Sequence, residues 1–89
     1  MELKEIRNQI DRVDDMLLTS FASRMRLSAQ IAEYKKENGL PVLDAEREKE
    51  MIESVRKIAP SDMEEECVLL YNKIMEISRS FQEKIIAEK

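Results

Sequence analysis

"ELKEIRNQIDRVDDMLLTSFASRMRLSAQIAEYKKE", residues 2 to 37, contains neither glycine nor proline. Its apolar residues fall at Leu3, Ile6, Ile10, Val13, Leu17 and Phe21, then at Leu27, Ile31 and Tyr34, the three-and-four spacing of a helical stripe. The pattern predicts one helix of about 35 residues, roughly 50 Å long at 1.5 Å per residue. A compact domain of this size is only roughly 25 to 30 Å broad. The far half of such a helix cannot be covered by its own chain.

Gly39 suits the left-handed position that ends a helix, and Pro41 follows just beyond it. A second helix is predicted from about Asp44 to Ala59. It carries Met51, Ile52, Val55, Ile58 and Ala59 on one face and is closed by Pro60. In "SDMEE", residues 61 to 65, Ser61 and Glu64 have the spacing of a capping box, which predicts the start of a third helix. That helix shows apolar steps of four and three through Met63, Cys67, Leu70, Ile74, Ile77, Phe81 and Ile85. The expectation is an all-α single domain over 1–89, with one long, one short and one medium helix whose exposed stripes need a second copy of the chain.

Composition excludes several functions. The chain has 89 residues and a formal net charge of −4, which argues against a nucleic-acid binder working through a broad basic face. It has no histidine and one cysteine, so it has no Cys/His metal site, no intrachain disulfide and no Ser-His or Cys-His nucleophilic pair. No apolar run reaches the length of a signal peptide or a membrane span, and the expected location is the cytoplasm.

Polar residues that share a face with apolar ones are the informative set. Arg24, Ser28, Ile31 and Lys35 follow i, i+4, i+7 and i+11, which brings Arg24 and Lys35 to within about 20° of one direction and roughly 16 Å apart. Arg7 lies seventeen residues before Arg24, about 100° around the helix and roughly 25 Å away. It cannot reach the same small ligand in the same subunit, but an antiparallel pairing of two long helices would carry it to a partner's pocket. Arg47 and Glu48 border the apolar face of the second helix, and Ser78 and Gln82 sit beside Ile74, Phe81 and Ile85 on the third. Buried charges need partners or a polar ligand. Taken singly, Arg47 and Glu48 also fit exposed intrahelical pairs, Asp44 fits an N-cap, and Ser78 fits a bond to a backbone carbonyl one turn earlier.

Together, "IRNQIDRVDDMLLTSFASR" (6 to 24), Lys35, "LPVLDAERE" (40 to 48) and "ISRSFQ" (77 to 82) resemble the all-helical chorismate mutases, over nearly the whole chain from Leu3 to Gln82. The resemblance implies an intertwined homodimer that rearranges chorismate, a small dicarboxylate, to prephenate in aromatic amino acid biosynthesis. It implies no cofactor, no metal, no nucleic-acid partner and no membrane. Arg7 would come from the other subunit and, with Arg24, bind carboxylates. Lys35 and Gln82 would act on the ether oxygen, Glu48 would accept from the ring hydroxyl beside Asp44 with Arg47 holding that cluster, and Ser78 would donate to a carboxylate. Such an intramolecular Claisen reaction needs no nucleophile and no base, which agrees with the missing histidine. The rival readings are an isochorismate-pyruvate lyase of the same fold, separable by its substrate, and a non-catalytic dimerisation module, which would bind no diacid.

Overall fold

Helices form where the apolar periodicity runs unbroken. The computed structural model describes residues 1–88. Helix α1 spans Leu3–Asn38, α2 spans Ala45–Ile58 and α3 spans Glu64–Ala87, with one 3-10 turn at Ser61–Met63 and no strand among the described residues. None of these helices is long and apolar enough to cross a membrane.

Gly39 ends α1 as its position suggests. It adopts φ 63°, ψ 31°, and the Gly39 and Leu40 N–H groups donate to the carbonyls of Lys36 and Lys35, the two bonds of a Schellman motif. Asp44 caps α2, its Oδ1 accepting from the Arg47 N–H at 3.0 Å. Arg56, in the last turn of α2, donates to Glu65 at 2.7 Å and Glu64 at 2.9 Å in the first turn of α3. These two carboxylates, Glu65 foremost, raise its pKa further above the ordinary range.

The capping box does not form. Ser61 lies in the 3-10 turn and makes no side-chain cap, the Met63 N–H donates to the Pro60 carbonyl at 3.1 Å, and the Glu64 carboxylate goes to Arg56 instead. Pro60 supplies a tighter turn than the box requires, and a guanidinium outcompetes a backbone amide for the acid.

Packing is centred on α3, which touches both α1 and α2 while those two do not contact each other. Small residues make the α1–α3 approach close: Ser28 and Ala32, one turn apart, are buried against the face that carries Val68, Met75, Ser78 and Gln82. That face is offset from the expected stripe. Cys67, Ile74 and Ile85 are partly covered, but Met63, Leu70, Ile77 and Phe81 remain exposed. The apolar arc of α3 is wider than one chain can cover, so its two edges have different fates.

The N-terminal half of α1 projects alone, with residues 1–20 all exposed, among them Ile6, Ile10, Val13 and Leu17. The chain measures 54 × 27 × 14 Å with a radius of gyration of 16.2 Å, against about 12 Å for a compact chain of this length. Its accessible surface is 7168 Å², roughly 1,700 Å² more than a folded monomer of its mass exposes.

A β-carbon at Gly39 would meet no atom within 4 Å, so Gly39→Ala incurs only the left-handed backbone penalty. Less the entropy that alanine removes from the unfolded chain, the net loss should be about 1 kcal/mol. Urea unfolding at fixed protein concentration measures it, and an unchanged midpoint would contradict this account of the turn.

A candidate active site between the three helices

Because α1 and α2 lean on α3 without meeting, a cleft of about 380 Å³ opens between them. It gathers Arg24, Ser28 and Lys35 from α1, Asp44, Arg47 and Glu48 from the start of α2, and Ser78, Arg79 and Gln82 from α3. Of the residues singled out in the sequence, only Arg7 lies outside it, exposed on the projecting half of α1.

A hydrogen-bonded chain runs along the floor. Lys35 Nζ donates to the Val42 carbonyl at 2.6 Å and to Gln82 Oε1 at 3.0 Å. Gln82 Nε2 donates to Ser78 Oγ at 3.0 Å, and Ser78 Oγ pairs with Ser28 Oγ at 2.9 Å. Lysine can only donate, which fixes the amide with its oxygen toward Lys35. An ammonium has three N–H bonds and an amide two, so Lys35 and Gln82 each keep one beyond these contacts. Ser28, Ser78 and Gln82 are 4 to 6% exposed, and every buried side-chain polar atom among the described residues is satisfied. Ser78 therefore bonds across to Ser28 of α1 and to the Gln82 side chain rather than back to a main-chain carbonyl of its own helix.

The opposite wall is charged. Arg79 Nη1 contacts both oxygens of Glu48, at 2.6 Å to Oε2, with side chains 32% and 24% exposed respectively. The Arg47 guanidinium lies 3.8 Å from Glu50 with both side chains mostly exposed, while its backbone N–H serves the Asp44 cap. Arg79 was not among the sequence candidates. Its position, directly after Ser78 and three residues before Gln82, was the available signal, but its partner lies 31 residues away on another helix.

The lining holds Arg24, Lys35, Arg47 and Arg79 against Asp44 and Glu48, two positive charges in excess within a chain of net charge −4. Arg24 has no carboxylate within ion-pair distance among the described residues. No three His, Cys, Asp or Glu side chains among those residues converge on a metal site. The arrangement can bind an anion and donate hydrogen bonds at fixed points.

Fold and cleft together define a helical protein suited to a small anionic ligand. Residues 6–83 match the chorismate mutase type II family model. The chain is 30% identical to the chorismate mutase of Methanocaldococcus jannaschii, over 98% of this chain and 90% of that one. It is 33% identical to the bifunctional chorismate mutase/prephenate dehydratase of Aquifex aeolicus, over 94% of this chain and 25% of that protein. It is also 47% identical to the T-protein of Enterobacter agglomerans, over 65% of this chain and 16% of that protein. No solved structure matches significantly. The chain belongs to the chorismate mutase type II family, and with it to the isomerases.

Ser78→Ala would leave the Ser28 hydroxyl and one Gln82 N–H buried with a lost partner, and should destabilise by about 2 kcal/mol. Adding Ser28→Ala should cost less than the sum of the two single changes, because one orphan is removed. Denaturant unfolding of the three variants checks this, and strict additivity would show that the serines do not act as a pair.

Proposed function

We propose that the protein converts chorismate to prephenate by holding the substrate in a reactive conformation and stabilising the charge that develops. The observation that carries this reading is the Lys35–Gln82 contact, two hydrogen-bond donors side by side at the base of a cationic cleft.

In the reaction the carbon–oxygen ether bond breaks as a carbon–carbon bond forms within the same molecule, with no proton passed to the protein. Negative charge grows on the ether oxygen. The remaining N–H of Lys35 and of Gln82 would both point to that atom, and bonds that strengthen in the transition state accelerate the step. Arg24 suits one substrate carboxylate through paired, charge-assisted bonds. Glu48 accepts from the ring hydroxyl near Asp44, and Arg47 adds positive charge at the rim. With Ser28 as donor to Ser78, the Ser78 proton is left for a carboxylate.

The second carboxylate calls for Arg7 of a second copy. Hiding roughly 1,700 Å² per chain corresponds to an interface of the obligate class. An antiparallel pairing of two α1 helices about Leu17 and Leu18 sets Arg7 level with Ser28, between Arg24 and Lys35. It also buries the projecting apolar stripe. The active protein is then a homodimer with two shared sites.

Arg7→Ala and Arg24→Ala should each lower kcat/KM by roughly a hundredfold or more. When the two variants exchange subunits, half of the dimers are mixed and each has one intact site, so about a quarter of the wild-type activity should return. No recovery despite demonstrated exchange would sink the shared site. A direct assay of chorismate against isochorismate tests the reaction itself, and turnover of isochorismate alone would select the lyase reading.

Gln82→Glu should be nearly inactive at neutral pH. A carboxylate beside Lys35 accepts rather than donates and stays ionised, so activity should rise only as acid protonates it. An unchanged pH profile would remove Gln82 from the ether oxygen.

A further inference from the structure

We propose that Arg79 is a positioning residue for Glu48. It fixes the carboxylate that reads the substrate hydroxyl and cancels the charge that would otherwise repel a dianion. This inference rests on the reading of Glu48 as hydroxyl acceptor.

Three observations carry it. The ion pair joins α2 to α3 across the cleft wall, and both side chains are more than two-thirds shielded from water, so this is not one of the exposed pairs that contribute little. A single guanidinium nitrogen, Nη1, straddles both carboxylate oxygens. Each oxygen has two acceptor directions, so one remains on each for a hydroxyl. Charge gives the third. Without Arg79 the lining would hold three cations and two acids, and an unneutralised Glu48 would stand close to a doubly negative substrate. With Arg79 this chain's lining keeps two positive charges in excess, to which the Arg7 of a second copy would add a third, and Glu48 no longer opposes the dianion.

The ring hydroxyl makes and breaks no bond in the rearrangement. Its contact is the same in the ground and transition states, so weakening it raises KM and leaves kcat nearly unchanged. Arg79→Met retains the bulk of the stem and removes the charge. In the otherwise native protein it should raise KM roughly tenfold, the scale of a weakened hydrogen bond to a charged group, with kcat within about twofold. In a Glu48→Gln background the same substitution should change KM less than about twofold, because the group Arg79 acts through is gone.

Arg79→Lys guards against a variant that fails to fold. One nitrogen already serves both oxygens, so an ammonium should keep KM within about threefold of the native value. Steady-state kinetics on native protein, the three single variants and the Arg79→Met, Glu48→Gln double variant decide the matter. An equal KM increase in both backgrounds would mean that Arg79 binds substrate directly and would overturn the inference. So would a fall in kcat at unchanged KM, or an Arg79→Lys protein as impaired as Arg79→Met. Failure of the native protein to turn over chorismate would instead overturn the function on which the inference rests.

Discussion

The bond between Ser28 and Ser78 sets the geometry on which the cleft depends. Two buried hydroxyls meet between α1 and α3, and neither helix can slide without orphaning them. Fixing that register places Lys35, two turns further along α1, against Gln82, one turn further along α3. It also brings Arg24 into the lining of the same cleft. Bulkier apolar side chains at these two positions would separate the helices and move the donors apart. A polar contact in the core thus acts here as a positioning device more than as a source of stability.

Much of this was legible in the sequence because it is local. The long helix, its Gly39 stop and the Asp44 cap each follow from a few adjacent residues whose backbone preferences agree. The grouping of Arg24, Ser28 and Lys35 follows from helical period alone. What could not be read depends on competition between distant groups. Ser61 and Glu64 have capping-box spacing, yet Arg56 from the preceding helix takes the acid. Glu48 could be placed on a face, but nothing local points to Arg79 as its partner. The stripe on α3 was real but too wide to say which edge its own chain covers, because Leu70 and Phe81 look no different in sequence from Val68 and Met75.

Charge is handled by placement rather than by composition. The chain is acidic overall, yet four of its 15 cations line the cleft against only two of its 19 acids. Only Asp44 and Glu48 enter the lining, one engaged as a helix cap and the other by Arg79. An acidic exterior around a cationic recess discourages large polyanions and leaves the recess to small ones.

The acceptor that Lys35 finds at Val42 is a main-chain oxygen. Mutation can replace the valine side chain and still leave that oxygen, so the contact that holds the ammonium does not depend on which side chain stands at position 42. Robustness is thereby shifted from the residue making the contact to the two that steer the chain toward it, Gly39 and Pro41. A lineage drifting through sequence space can lose the lysine's anchor by altering the bend while every residue lining the cleft is unchanged.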